Sequence, residues 1–160
     1  MSTNITALDR AITHTVEWID DIQDGLGWES KDKTYQATKA VLQSIRDRLP
    51  IEEVVHLSAN LPLIMKGMMM DGYSLKNKPE RIRDIEGFLE YVQANYDASM
   101  RDMINPEDAV ITVVNVLNSH LGGGEMRKVA ANMPQQLRRL FKAAGVEVPE
   151  TSQAEMEATA

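Results

Sequence analysis

The sequence predicts an all-α fold, in which two tandem four-helix repeats pack as one helical domain. Apolar residues recur three and four positions apart along most of the chain, which is the spacing of an amphipathic helix. The chain also repeats itself, because the letters ANLP at 59–62 return as ANMP at 131–134, an offset of 72 positions. Related residues recur at the same offset: Ala37 and Ala109, Val41 and Val113, Ile45 and Leu117, Leu49 and Leu121, and Glu53 and Glu125.

The repeat also predicts the domain organisation. We expect one helical domain over residues 1–145, with repeat one at about 6–73 and repeat two at about 78–145. Residues 146–160 contain four glutamates and neither lysine nor arginine. We therefore expect an acidic, disordered tail there.

Four helices are predicted in the first repeat, over about 6–25, 32–49, 50–60 and 62–71. Glycines at 25 and 27 end the first helix, and the proline at 50 ends the second, because a residue before proline leaves the helical region. The prolines at 50 and 62 also suit the first position of the helix that follows. The apolar face of the first helix consists of Leu8, Ala11, Ile12, Val16, Ile19 and Ile22.

The second repeat follows the same plan. Apolar residues from Ile82 to Val92 form the counterpart of the first helix, and Asn105 followed by proline and two acids is a strong helix start. The segment AVITVVNVL at 109–117 has the β-branched content of a strand. Its counterpart at 37–45, ATKAVLQSI, is amphipathic at helical spacing, so we predict a deeply buried helix. Two more helices are predicted, at about 125–131 and 134–144.

The ANLP and ANMP segments are predicted to be corners between helices. Asn60 and Asn132 are expected to adopt the left-handed conformation that ends a helix. The apolar residue after each asparagine is expected to insert into the core. The glycines at 122–124 are interpreted as a helix stop, because a phosphate-binding loop follows a strand and ends in Gly-Lys-Ser/Thr.

Composition excludes several classes of protein. Of the 24 acidic residues, four lie in the tail, which leaves 20 against 17 lysines and arginines, so the body is close to neutral and does not resemble a nucleic-acid binder. No apolar run approaches the roughly 18 residues that a membrane span needs, and the first residues do not form a signal peptide. The chain has no cysteine. We therefore expect a cytoplasmic protein without disulfides or cysteine-bound metal.

Two long segments resemble a known family. These are AVLQSIRDRLPIEEVVHLSANLP at 40–62 and VNVLNSHLGGGEMRKVAANMPQQLRRLF at 114–141, and the early TVEWI at 15–19 adds to the likeness. Together they resemble the bacterial family catalogued as domain of unknown function 2267, over about residues 8–142. The resemblance implies an all-helical protein with two repeats. It implies no activity, substrate or catalytic residue.

The first helix carries an acidic stripe of four residues that share one helical face: Glu17, Asp20, Asp21 and Asp24. Like charges at this spacing repel each other, and acids near a helix C-terminus oppose the helix dipole. A solvated face is the simplest interpretation. The alternatives are a docking surface for a basic partner, a weak divalent-cation site, and catalysis by acids such as Asp20 and Asp24.

A basic cluster lies in the last two predicted helices and consists of Arg127, Lys128, Arg138, Arg139 and Lys142. Basic residues late in a helix are favoured by the helix dipole. The cluster is therefore either ordinary capping, a surface for an anionic partner, or a contact with the acidic stripe of another subunit. Few aromatic residues lie among these bases, so stacking on nucleic acid is not expected.

Methionines at 65, 68, 69 and 70 form the densest chemical signal in the chain. The counterparts of the first three in repeat two are Leu137, Leu140 and Phe141, which favours a place in the core. The counterpart of Met70 is a lysine, so Met70 is the exposed candidate for binding a partner. An apolar or amphipathic ligand in a groove between the repeats, near these methionines, is the alternative.

No catalytic or cofactor motif is found. His14, His56 and His120 lack the spacing of a metal site, and His120 is expected to interact with the last carbonyls of its helix. We therefore predict a non-catalytic helical interaction or scaffold protein without a cofactor, which binds a protein partner or itself. The alternative prediction is a binding module for an apolar ligand.

Overall fold

The computed structural model describes residues 2–122 and 124–149, and this part of the chain is all-helical, as the sequence predicts. It contains eight α-helices and one 3₁₀ turn at Ala98–Met100, and no strand occurs among the described residues. None of these helices is both long and apolar enough to cross a membrane. The helices are α1 Thr6–Leu26, α2 Lys31–Arg48, α3 Ile51–Ala59, α4 Leu63–Met70, α5 Ile85–Ala94, α6 Pro106–Leu121, α7 Glu125–Ala131 and α8 Arg138–Ala143.

Of the two glycines expected to end the first helix, only Gly27 does so. Gly27 has a left-handed φ of 68° and its N–H donates back to the last turn of α1. Gly25 remains inside the helix, and a Cβ placed there would lie 2.7 Å from Cγ2 of Thr112 in α6. Glycine at 25 therefore permits the close approach of α1 and α6.

Side-chain caps fix the first residues of α2 and α6. Ser30 Oγ accepts a hydrogen bond from the N–H of Lys33 at 3.1 Å, so α2 begins one residue before the predicted start. Asn105 Oδ1 accepts hydrogen bonds from the N–H groups of Glu107 and Asp108 at 2.9 and 3.2 Å. This cap confirms the predicted start of α6.

The segment AVITVVNVL lies within α6, so the helix prediction is confirmed. α6 packs against α1, α2, α5, α7 and α8. Because neighbours surround it, tertiary contacts override the weak helix propensity of its β-branched residues. Its buried residues are Ala109, Val110, Val113, Val114, Val116 and Leu117.

Both asparagine corners differ from the prediction in their backbone conformation. Asn60 has φ −97° and ψ −2°, and Asn132 has φ −89° and ψ −1°, so both residues are right-handed. Their side-chain amides instead donate to the carbonyls four residues earlier, at 3.0 Å to His56 and 2.9 Å to Lys128. Because backbone and side-chain amides of each asparagine bond to carbonyls of the last turn, no left-handed residue is required. The apolar residues that follow are buried, as predicted: Leu61 and Met133.

Two helices in the second half begin later than predicted. α5 begins at Ile85, where Asp84 accepts a hydrogen bond from the third residue of the helix. α8 begins at Arg138 rather than at Pro134. Residues 135–137 form a tighter turn, in which several hydrogen bonds join residues three apart.

Apart from Ile19, the buried apolar side chains form one cluster, with α2 and α6 in contact inside it. Val146 is 3% exposed and belongs to this cluster, so packing continues past residue 145. Residues 150–160, most of the predicted disordered tail, lie outside the described residues. The largest fully buried side chains are Phe88, Phe141, Ile22, Leu42, Ile45, Leu49, Leu57, Met65, Met69, Leu117, Met126 and Leu137.

The N-terminal half of α1 extends beyond this cluster. Thr15 is the first buried residue of the described chain. Leu8 and Val16, which spacing places on the apolar face of α1, are 44% and 40% exposed. The first turns of α1 therefore carry an apolar face that the described residues leave largely uncovered.

Candidate interaction site

Four apolar residues form a continuous line along the start of α1 and its cap, and we call them the α1 stripe: Ile5, Leu8, Ile12 and Val16. Ile5, Leu8 and Val16 are exposed, and Ile12 is partly buried. Their spacing is that of a helix face that packs against another helix. Ile5 at the helix cap is 53% exposed, whereas Ile19 on the same side of α1 is only 5% exposed. The sequence identified this face, but periodicity reports which residues share a face and not whether another element covers it.

A groove continues the α1 stripe towards the core. It is a depression of about 280 Å³ between α1, α2 and α4. Thr15 and Ile19 are each 5% exposed and form its base. Because Ile12 and Val16 belong to both the stripe and the groove, the two surfaces are continuous. The groove is lined by Ile12, Thr15, Val16, Ile19, Lys31, Asp32, Tyr35 and Ile64.

The methionines of α4 do not line this groove. Met65, Met68 and Met69 are 0%, 3% and 0% exposed, which confirms that they belong to the core. Met70 is partly buried and packs against the core, rather than being exposed as its repeat counterpart suggested. The apolar groove therefore lies beside α1, and α4 contributes only Ile64 to it.

Two residues of the acidic stripe are paired with neighbouring helices. Asp20 Oδ1 lies 2.6 Å from Lys31 Nζ, and Asp21 Oδ2 lies 2.6 Å from His120 Nε2. Both pairs are partly exposed, so each is worth no more than about 1 kcal/mol. Glu17 and Asp24 lie on exposed positions of the same helix. Among the described residues, no group of three or more histidines and acids is placed to hold a metal ion.

Two of the three histidines meet at Trp18, a contact that the sequence did not reveal. The His120 ring stacks on the Trp18 ring with centroids 4.4 Å apart and an angle of 15°. His14 approaches the same ring edge-on at 5.9 Å. His120 thus joins α6 to α1 through Trp18 and Asp21, rather than capping its own helix. Helical spacing could have predicted only the contact between His14 and Trp18, which are four positions apart on α1.

Only three of the five residues of the basic cluster lie together in the structure. Arg138 Nε and Nη2 donate to the carbonyls of Met133 and Ala131, both at 3.1 Å, so this guanidinium closes the ANMP corner. Arg138, Arg139 and Lys142 share a depression of about 170 Å³ with Gln135, Val148 and Pro149. Arg127 and Lys128 on α7 are exposed and do not line it.

The charged residues of the segment RDRLP at 46–50 form a buried cluster. Arg46 and Asp47 are 5% and 4% exposed, and Arg46 Nε donates to Asp47 Oδ1 at 2.7 Å. Arg46 Nη1 also donates to the carbonyls of Met69 and Asp71 at the end of α4, at 2.8 and 2.9 Å. The cluster therefore attaches the end of α4 to α2.

The same cluster holds α5. The Tyr91 hydroxyl donates to Asp47 Oδ2 at 2.5 Å, and Arg48 Nε donates to the carbonyl of Ile82 at 2.7 Å. Burial, followed by the hydrogen bond to Asp47, raises the pKa of Tyr91 well above its ordinary value. These bonds join α4, α5 and the segment before α5 to α2.

A polar depression of about 350 Å³ lies between α2 and the start of the segment after α5. Its charged pair is Lys39 Nζ and Asp71 Oδ2, 2.9 Å apart, and the hydrogen bond and charge of Lys39 lower the pKa of Asp71. Gln43 Nε2 donates to the carbonyls of Met68 and Asp71. Polar groups on this surface thus join parts of the chain to each other.

A family model matches most of the chain. The pattern of the family DUF2267, described as an uncharacterized conserved protein, matches residues 15–140. No curated protein matches the chain.

Proposed function

This chain belongs to the DUF2267 family of uncharacterized proteins. From its exposed surfaces we propose that it is a non-catalytic helical interaction protein. The observation that carries this proposal is the α1 stripe, which is apolar, exposed at three of its four residues and continuous with a groove. Exposed apolar patches of this kind typically mark contacts with other macromolecules. The absence of cysteine favours a cytoplasmic location as part of the proposal.

The partner surface that fits this site is an amphipathic helix. The α1 stripe has the spacing of a helix-packing ridge, and a groove beside such a ridge accepts a second apolar helix face. A small apolar ligand is the weaker candidate, because the groove of about 280 Å³ is open to solvent and would not enclose it. Ligand pockets usually hold about 300–1,000 Å³ and enclose most of their ligand.

The uses of the charged side chains support a non-catalytic role. Asp21 is paired with His120, and Asp47 with Arg46 and Tyr91. These contacts join helices to one another. The near balance of charge in the body also favours a protein partner over nucleic acid.

The proposal includes the tandem-repeat architecture. Its support is the equivalence of the two asparagine corners, which share a right-handed conformation and the same hydrogen bond to the carbonyl four residues earlier. Superposition of residues 37–70 on 109–142 in a crystal structure is the test. Helix axes that diverge after the corners would contradict a common repeat.

Binding assays with two surface variants test the proposed function. Leu8→Glu places a charge in the α1 stripe, and Val55→Glu is the matched control because Val55 is 56% exposed on α3. Both variants should unfold at the temperature of the wild type, since neither residue is buried. Proteins captured from native lysate are identified, purified and titrated against each form.

We expect Leu8→Glu to weaken binding of the purified partner at least tenfold, and Val55→Glu to leave it unchanged. Binding that is equally strong for both variants would contradict a role for the α1 stripe.

A further inference from the structure

We propose that the helix which occupies this site is α1 of a second copy, arranged antiparallel about a two-fold axis near Ile12. This inference rests on the proposed function and names its partner. The same helix carries an apolar ridge that extends beyond the groove, from Ile5 to Ile12, and one wall of a groove that the described residues leave open, from Ile12 to Ile19. A two-fold pair satisfies both at once, because a symmetric interface joins one surface to itself.

The ridge and the groove have equal lengths. Positions 5 to 12 and positions 12 to 19 each span about 10 Å along a helix, at 1.5 Å per residue. An antiparallel pair centred on Ile12 therefore places Ile5 of each copy opposite Ile19 of the other. It also places Leu8 opposite Val16, and Ile12 opposite its own counterpart.

The ridge and the groove select the antiparallel orientation. A parallel two-fold pair would place the ridge of each copy against the ridge of the other, and the groove against the groove. The acidic stripe does not decide the orientation, because helical spacing places it on another face of α1. Two of its acids, Asp20 and Asp21, are already paired with Lys31 and His120.

The size of the contact predicts its strength. The surface consists of the α1 stripe and the groove wall, to which α2 and α4 add Tyr35 and Ile64. Such a pair of helices buries less than about 1,200 Å² in total, which is the range of weak and transient complexes. We therefore expect a dissociation constant of micromolar order.

Disulfide cross-linking tests the proposed geometry, and the cysteine-free chain makes it specific. A disulfide requires Cα atoms about 4.4–6.8 Å apart, so it reports register as well as proximity. Ile12→Cys should cross-link to itself under mild oxidation. A mixture of Leu8→Cys and Val16→Cys chains should cross-link faster than either variant alone. Val55→Cys, which is exposed on α3, is the control and should cross-link much more slowly.

Sedimentation velocity across a range of concentrations completes the test. We expect wild type and Val55→Glu to dimerise, and Leu8→Glu to sediment as a monomer. A wild-type chain that stays monomeric at about 1 mM, or Leu8→Cys chains that link to themselves faster than to Val16→Cys chains, would overturn the inference. Leu8-dependent binding of a different protein by a monomer would leave the proposed function standing. If Leu8→Glu still dimerises and still binds other proteins as the wild type does, both this inference and the proposed function would be wrong.

Discussion

Replacement of Asp47 with alanine should destabilise the protein far more than replacement of Asp20, although both are helical aspartates in ion pairs. Asp47 is 4% exposed and accepts hydrogen bonds from Arg46 and Tyr91. Asp20 pairs with Lys31, and these side chains are 43% and 62% exposed. The comparison isolates the effect of burial on one kind of interaction.

The structure sets the expected magnitude. Without Asp47, the buried Arg46 keeps two carbonyl acceptors but loses its counter-charge, and Tyr91 loses its acceptor. Removal of one member of a buried ion pair costs about 3–5 kcal/mol. The better helix propensity of alanine returns roughly 0.5 kcal/mol, and loss of an acid near the C-terminus of α2 returns about 0.3–1 kcal/mol. We expect a net loss of about 2–4 kcal/mol for Asp47→Ala, and less than about 1 kcal/mol for Asp20→Ala.

Urea unfolding at neutral pH, followed by circular dichroism, measures both free energies of unfolding. Tyr91→Phe should cost less in the Asp47→Ala background than in the wild type, because the hydroxyl has then already lost its acceptor. A loss for Asp47→Ala within about 1 kcal/mol of that for Asp20→Ala would refute the assignment of Arg46, Asp47 and Tyr91 as a buried cluster that stabilises the fold.

Three further predictions concern stability. Gly25→Ala should cost about 1–2 kcal/mol, because its Cβ would lie 2.7 Å from Thr112 Cγ2, whereas Gly67→Ala, with open space around it, should be neutral or stabilising. Thermal unfolding of both variants, with Thr112→Ser added to relieve the first, distinguishes this overpacking from a backbone effect. Burial raises the pKa of Tyr96 above its ordinary value of 10.0. Its contribution to the free energy of unfolding is therefore complete below about pH 10 and is lost as the pH rises above that value. Tyr96→Phe should make the free energy of unfolding fall less steeply at alkaline pH. An unchanged slope would contradict this role of Tyr96. Asn60→Ala and Asn132→Ala should each cost about 0.5–1.5 kcal/mol in urea unfolding, through loss of the same corner hydrogen bond. A large effect at one corner alone would contradict their equivalence.

The sequence predicted the helices well because its strongest signals are local. The cap at Asn105 and the period of the apolar residues depend on neighbours within one helix. The helix prediction for AVITVVNVL needed one non-local argument, the comparison with its counterpart at 37–45. The asparagine corners were located correctly but given the wrong backbone conformation, because a side-chain hydrogen bond and a left-handed residue are alternative ways to end a helix.

The candidate site was less accessible to sequence reasoning because it depends on what covers each face. Leu8 and Ile22 belong to one apolar face of α1, yet only Ile22 is buried. Arg46 and Asp47 look like ordinary surface charges in the sequence, but α4 and α5 enclose them. His120 approaches Trp18 only through the packing of α6 on α1, a distance of about a hundred residues along the chain.

In the proposed dimer, the exposed start of α1 would couple local folding to assembly. Its turns before Thr15 have no buried side chain to hold them, and a short helical segment without tertiary contacts is only marginally stable in water. In a dimer the same turns would gain the apolar contacts that they lack in the monomer. Amide hydrogens at 6–14 should therefore exchange quickly in dilute solution and slow down as the protein concentration rises, while those of α6 stay protected throughout. The exchange rate of these amides would then measure the fraction of the protein that is dimeric.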